Sequence, residues 1–384
     1  MTATTWRGGS VPLWRGWDRF DYLMLLAALG LVAMGFLLIH SGSKESYEGP
    51  MLSFANPVAK QFVFAIIGVV GMLIVSRMDY HYFVHYSWFM YAIGIVALLA
   101  VLAIGPNVDG STRWFDLGVI QVQPSEFAKL ATVLMLASYF SEHGGDARDL
   151  RTLGLSLLIV LPAAFLVFIE PDLGTTVVFA CIWLGVVVVA GVSRSHLLVL
   201  GAVTLAVLPF VWTFAIADYQ VERVSLLVDS TSGERALNEG YNINQSKIAL
   251  GSGQFLGQGL GDGKQTQLGY LRVPTKDFIF SVLGEEMGFV GCMGLFALFI
   301  LLLLRGVRAA QIAGDTAGQL VAVGIVVLIL MQAFINIAVN LSLFPVTGIP
   351  LPFVSQGGSS LVSLFFSLGI LQSIIMRHRA YRQT

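Results

Sequence analysis

Ten long apolar stretches separated by short polar breaks leave this chain few choices of fold. They lie near residues 22–40, 57–76, 82–104, 126–140, 153–169, 173–191, 196–216, 277–305, 317–341 and 355–376. In lipid the backbone has no water to bond, so a spanning segment must satisfy its own amides, and a helix does so. At 1.5 Å per residue, about 20 residues cross a hydrocarbon layer roughly 30 Å thick. Only 12% of the 384 residues are charged, where soluble domains carry about a quarter. The expected fold is all-α: a polytopic integral membrane protein with about ten transmembrane helices, a single membrane domain over 1–384, and one large loop at 217–276. The fourth stretch is short and the break between the fifth and sixth is tight, which leaves nine or eleven spans open.

Charge sets the orientation. With the N-terminus inside, the cytoplasmic segments carry twelve arginines, from Arg7, Arg15 and Arg19 to Arg377, Arg379 and Arg382, and the short outer loops carry Lys44 and Arg113. Cytoplasmic loops are the Lys/Arg-rich ones, so both termini are expected in the cytoplasm and the 217–276 loop outside. No small-residue cleavage site follows the first stretch, which therefore reads as a retained helix. A net charge of −1 offers no basic surface for nucleic acid, and two cysteines, Cys181 and Cys292, make neither a disulfide framework nor a metal motif.

Against this apolar background the polar residues stand out, because ionisable groups at membrane depth mark pathways or sites. Arg113 in "DGSTRWFDLG" reads either as an interfacial anchor with Trp114 or as a guanidinium fork for phosphate. Glu126 and Lys129 in "QPSEFAKL" share a helix face, as a neutralising pair or as part of a cavity. Glu170 and Asp172 in "EPDLGT" suit a divalent cation or a sugar hydroxyl; Asp172 equally suits a helix cap. "GSGQFLGQGLGDGK" (251–264) is not a Walker loop: Gln258 stands where its first glycine belongs and Gln265 where Ser or Thr should follow the Lys. It reads as a loop passing a polymer or headgroup close to backbone, or as a plain linker. "YNINQSKIAL" (241–250) suggests a short amphipathic helix on the membrane. Asp277 heads the eighth span, and Glu285 and Glu286 lie roughly 12 Å deeper. Gln332, Asn336 and Asn340 form a stripe on the ninth span, read as interhelical glue. "FPVTGIPLPFVSQGGSS" (344–360) reads as a rigid turn shaping a groove.

Six motifs in order, "GSTRW", "QPSEFAK", "EPDLGT", "KIALGSG", "DFIFSVLGEEMGFVG" and "GIPLPFVSQGGSS", run over nearly the whole chain. In them the sequence resembles the SEDS family (shape, elongation, division and sporulation), which includes RodA and FtsW. The resemblance implies a peptidoglycan glycosyltransferase that polymerises lipid II outside the bacterial cytoplasmic membrane. It places the family's catalytic aspartate at Asp277 and its required charged residues at Arg113, Glu126 and Lys129. Trp114 and Ser355 join the expected substrate-binding set. It also implies a partner, a class B penicillin-binding protein supplying the transpeptidase within a cell-wall elongation complex. Two departures are visible. Many members read Pro-Glu-x-His-Thr before the aspartate, where this chain reads "RVPTK", and the common Ser-Tyr-Gly-Gly-Ser is here Ser355 to Ser359 with Gln356 in place of the aromatic. The "GIPLP" wording and the Arg-poor outer loops sit nearer RodA than FtsW.

The implied chemistry is an inverting transfer with Asp277 as general base. Partial desolvation would raise its proton affinity and neighbouring Lys276 would oppose this. Arg113 and Lys129 would stabilise the leaving pyrophosphate. Mg²⁺ or Mn²⁺ could share that task, with Glu170 and Asp172 as ligands. Two other classes compete: a lipid II flippase, which would need a charged path through both leaflets, and a non-catalytic scaffold, which would tolerate loss of Asp277.

Overall fold

The computed structural model describes residues 17–44, 53, 56–106, 112–116, 118, 120–142, 149–196, 198–199, 201–202 and 239–381. Its helices begin where short polar side chains can take the unbonded amides of a first turn. Asp21 accepts from the amide of Met24 at 3.1 Å and opens α1 (Tyr22–Gly42). Asn56 accepts from Val58 at 2.8 Å, and Pro57 starts α2 (Pro57–Arg77). Asp79 and Asp149 cap α3 (Tyr80–His85) and α6 (Leu150–Ile169) in the same way. Asp172 and Asp315 do so for α7 (Leu173–Val189) and for the helix at Thr316–Asn340. Between these lie α4 (Ser87–Ile104), the two-residue strands β1 (Phe115–Asp116) and β2 (Gln121–Val122), and α5 (Pro124–Glu142). After the large loop come α8 (Glu239–Ser252), α9 (Lys264–Gln267), α10 (Ile279–Ile312), α11 (Thr316–Asn340) and α12 (Gly358–Tyr381).

Nine of the ten expected stretches are helices among the described residues. Seven of these helices are long and apolar enough to cross a membrane, so the chain is a multi-pass membrane protein. The 196–216 stretch and the 217–238 part of the loop lie almost wholly outside the described residues. α5 is enclosed by α4, α6, α7, α11 and α12, which is why its polar residues are tolerated away from lipid. The third stretch divides: α3 ends at Tyr86, whose amide closes the last turn, and α4 starts afresh at Ser87. The short helix expected at 241–250 is α8. It is docked on α10 and α11, with Ser246 Oγ 2.6 Å from Ser281 Oγ and 2.8 Å from the Asn340 carbonyl.

The largest departure from a simple bundle is in α10. Gly288 takes φ 62° and ψ −160°, which breaks the helix. A broken helix frees amides and carbonyls that must be satisfied internally, and the glycine-rich loop satisfies them. Gln258 and Gly259 donate their amides to the Glu285 and Glu286 carbonyls at 2.9 and 3.1 Å. Phe289 and Val290 donate to Gln254 and Phe255 at 2.9 and 3.2 Å. The loop is therefore an insert in the break. Gly253 and Gly257 are needed because there backbone meets backbone: a Cβ on Gly257, at φ 82°, would strike the Glu286 carbonyl.

At the end of the bundle away from Asp277, Arg305 Nε lies 2.7 Å from Asp21, and the Gln372 side chain bonds the Asp21 backbone in both directions. His81 sits between Asp79 (2.8 Å) and Asp315 (3.3 Å). Burial works against its charge, but Asp315 and Asp79 outweigh that and hold its pKa up at about 9.

Two outcomes follow from these contacts. Gly257→Ala is expected to lower stability in thermal unfolding by about 3 kcal/mol, while Gly154→Ala, with open space at its Cβ, should be neutral or mildly stabilising; equal melting of both would remove the insert from the account. The His81 contribution is complete below the unfolded value of 6.5 and is lost as pH rises toward 9. Melting temperature should fall across that window, and His81→Gln should flatten the fall.

Candidate active site

Asp277 stands just ahead of α10, and its main chain is held from three sides. Asn340 Nδ2 donates to the Asp277 carbonyl at 2.9 Å, and Asn336 Nδ2 to the same oxygen at 3.1 Å. In a regular helix that carbonyl would take the amide of Ser281. Here the Ser281 amide is shared between the Phe278 carbonyl, at 3.0 Å, and Asn340 Oδ1, also at 3.0 Å, and the Ser281 hydroxyl donates to Asn340 Oδ1 at 2.6 Å. One carboxamide thus replaces both ends of a helical hydrogen bond, so Asp277 stays outside the helix with its carbonyl satisfied. The Ser355 hydroxyl donates to the Lys276 carbonyl at 2.6 Å, and the Gln356 amide to the Thr275 carbonyl at 2.9 Å. Asn336 also holds the Ile349 carbonyl at 2.8 Å, which ties the proline-rich rim to the same point.

The Asp277 side chain opens into a cleft of about 320 Å³. Lys60, Gln61 and Phe64 of α2 form one side. Trp114, Gln121 and Gln123, on and beside the β1–β2 hairpin, form another. Lys276, Gly348, Pro350 and Gln356 to Gly358 complete it. Gly348 takes φ 72°; a Cβ there would sit 3.5 Å from Arg113 Nη1 and 4.0 Å from Asp277 Oδ2. The missing side chain lets the guanidinium and the carboxylate flank one position. The first turns of α2 and α12 lie at this cleft, and helix N-termini favour anions.

The expected site residues divide by position. Asp277 and Trp114 line the cleft. Arg113 reaches its edge, but Nε donates to the Glu170 carbonyl at 2.8 Å and Nη2 to the Pro171 carbonyl, clamping the α6–α7 turn. Lys129 and Glu126 pair at 2.7 Å with side chains 0% and 3% exposed, inside α5 and off the cleft surface. Ser355 is buried and acts on backbone, as above, with its oxygen also accepting from Leu351 N at 2.9 Å. Lys60 and Gln61 were not singled out by sequence reasoning; their only signal was a polar pair in the first turn of an apolar span. Glu285 also has a local task, accepting from Gln265 N, Thr266 N and Thr266 Oγ1 at 2.7 to 3.1 Å and so capping α9.

Glu170 and Asp172 do not fit a divalent cation. The two Asp172 oxygens accept from Thr175 N and Oγ1 at 3.0 and 2.9 Å, the helix cap. Glu170 is 1% exposed, and burial, then the nearby Asp172, push its pKa up to about 8 while Arg113 pulls the other way. A protonated carboxyl is a poor ligand. Among the described residues no three His, Cys, Asp or Glu side chains come together in a metal-holding group.

The residues that converge here define a multi-pass membrane protein with a carboxylate-bearing cleft at the helix ends. The family described as "Cell cycle protein", that of FtsW, RodA and SpoVE, matches residues 21–380. The chain is 37% identical over 360 residues to "Peptidoglycan glycosyltransferase MrdB" of Escherichia coli, covering 93% of this chain and 94% of that protein. It is 36% identical to "Stage V sporulation protein E" of Bacillus subtilis, covering 92% and 96%. Among solved structures, a chain described under "Structural coordination of polymerization and crosslinking by a peptidoglycan synthase complex" matches with TM-score 0.77 and 29% identity, over 96% of this chain and all of that one. Thermus thermophilus RodA matches with TM-score 0.68 and 26% identity, over 97% of this chain and all of that one. The chain belongs to the FtsW/RodA/SpoVE family, the SEDS proteins.

Glu170 offers a direct check of the site's electrostatics. A carboxyl raised from 4.5 to about 8 makes the fold less stable as pH rises through that interval. Glu170→Gln should match wild type in melting near pH 4 and exceed it at pH 9. A variant less stable at both would mean that the ionised carboxylate is what the Arg113 turn requires.

Proposed function

We propose that this chain is a RodA-like peptidoglycan glycosyltransferase that joins lipid II units into glycan strands at the outer face of the bacterial cytoplasmic membrane. The relatives' shared name supports the reaction class. The single structural observation that carries the reading is Asp277, fixed at its main chain and opening into a cationic cleft at the ends of the spanning helices. A substrate held in the bilayer by its lipid tail presents its sugar at that depth. Both termini are cytoplasmic in this reading, and the cleft faces out.

The acceptor 4-hydroxyl gives its proton to the Asp277 carboxylate as its oxygen attacks C1 of the donor sugar. The C1–O bond to pyrophosphate breaks, its electron pair leaves with the phosphate oxygen, and C1 inverts. The Asn336/Asn340 clamp keeps the carboxylate at one height during this step, which is the positioning contribution to rate. Trp114 offers a flat wall for a sugar. The glutamate–lysine pair in α5 and the Arg113 clamp keep the surrounding elements in register. A class B penicillin-binding protein supplies the crosslinking, within an elongation complex; the neighbour whose structural description couples polymerization to crosslinking supports that pairing.

The test is polymerisation of labelled lipid II by the purified chain with its candidate partner. Asp277→Asn keeps the shape and removes the base, so polymer should fall at least about 100-fold while lipid II binding is retained. Equal polymer from both proteins would take Asp277 out of the mechanism. Lipid II transfer between leaflets without polymer, from wild type, would favour a flippase.

A further inference from the structure

The cations first expected at the leaving group are largely engaged elsewhere, and of the Arg113 nitrogens Nη1 alone faces the gap at Gly348 that Asp277 also flanks. Two of the Arg113 donor nitrogens are on the carbonyls of Glu170 and Pro171. Lys129 is fully buried against Glu126. The cleft itself holds two other cations, Lys60 in the first turn of α2 and Lys276 beside Asp277. Neither has an ion-pair partner among the described residues, and neither is needed to neutralise a buried acid, since Lys276 is exposed and Lys60 half-buried.

We infer that Lys60 and Lys276 are the residues that contact the substrate's pyrophosphate, forming an anion subsite in the cleft that both line. The inference rests on the glycosyltransferase reading above and moves its leaving-group role from Arg113 and Lys129 to this pair. Three features support it. An ammonium is a point charge on a long stem and accepts a phosphate without the fixed geometry of a guanidinium. The N-terminal turns of α2 and α12 add positive potential at the same wall. Below Lys60, the Ile66, Val70 and Ile74 side chains of α2 are about half exposed, an apolar face along which a lipid tail can lie while its phosphates reach the cleft. As the C1–O bond breaks, negative charge grows on the pyrophosphate oxygen between the two ammoniums, and the acceptor proton goes to Asp277 on the other side of the reacting carbon. Charge separation of this kind is what fixed cations stabilise.

The experiment is calorimetric titration of inorganic pyrophosphate into the full-length chain in phosphatidylcholine nanodiscs, with polymerisation measured in parallel. Lys60→Met and Lys276→Met should each weaken pyrophosphate binding about tenfold, with melting temperature unchanged. Lys60→Arg, which keeps the charge, should bind within about threefold of wild type, and raising salt should weaken wild type more than either Met variant. Wild-type affinity in both Met variants, or loss confined to Arg113→Met and Lys129→Met, would overturn the assignment, as would a wild-type protein that makes polymer but does not bind pyrophosphate. Pyrophosphate binding that depends on both lysines in a protein that makes no polymer would leave the anion subsite standing and remove the catalytic reading instead.

Discussion

The site depends on one exchanged hydrogen bond. At the start of α10 the Ser281 amide and the Asp277 carbonyl are the pair that a helix would join. Asn340 stands between them, donating from Nδ2 to the Asp277 carbonyl and accepting at Oδ1 from the Ser281 amide, which it shares with the Phe278 carbonyl. The cost of breaking a helical bond at low dielectric is offset because neither group is left unsatisfied. The result is a carboxylate whose backbone is held from a different helix, α11, and whose side chain is not committed to a helical turn. Asn336, Ser355 and Gln356 extend the same arrangement to residues 275–277 and to the proline-rich rim, so one buried polar cluster sets the shape of the cleft.

The lower end of the same short helical segment is held by a second exchange. Gly288 breaks α10, and the 254–259 backbone supplies the donors and acceptors that the break releases. Residues 279–287 are thereby fixed at both ends, by side-chain amide above and by loop backbone below. Glu285 and Glu286 lie within this segment, buried, and at least the Glu285 contacts serve to seat the loop. The glycine-rich stretch that resembles a phosphate loop in composition thus has a structural task, and Gly253 and Gly257 fit it because there backbone packs directly on backbone.

Much of this was legible in the sequence, and what was not has a physical cause. Helix positions followed from apolar length, while the caps at Asp21, Asn56 and Asp149 emerged only with the structure. Asp172 was readable as a cap from its place ahead of "LGTT", and the structure gives it that geometry. The break at Gly288 was hidden, since glycine within an apolar run marks close packing as often as a kink. The stripe of Gln332, Asn336 and Asn340 was visible, and the two asparagines do bond between helices while the buried Gln332 side chain makes no hydrogen bond; that they hold the Asp277 carbonyl depends on the register of α11 against α10, which spacing cannot supply. Arg113 and Lys129 drew attention because charge in an apolar chain is conspicuous. Which cation faces a cleft is decided by tertiary packing, and that placed Lys60 and Lys276 there.

The central claim is that Asn340 fixes Asp277 for catalysis. It is tested most directly by the single-turnover rate of lipid II polymerisation in Asn340→Leu, beside Ser281→Ala, which loses the serine hydroxyl's bond to Asn340 but leaves the Asn340 donor on the Asp277 carbonyl. The account expects the Leu variant to lose about 100-fold in rate, the usual scale for an ångström of misplacement, with lipid II affinity kept and the Ala variant within about threefold of wild type. A folded Asn340→Leu protein that turns over at the wild-type rate would contradict it.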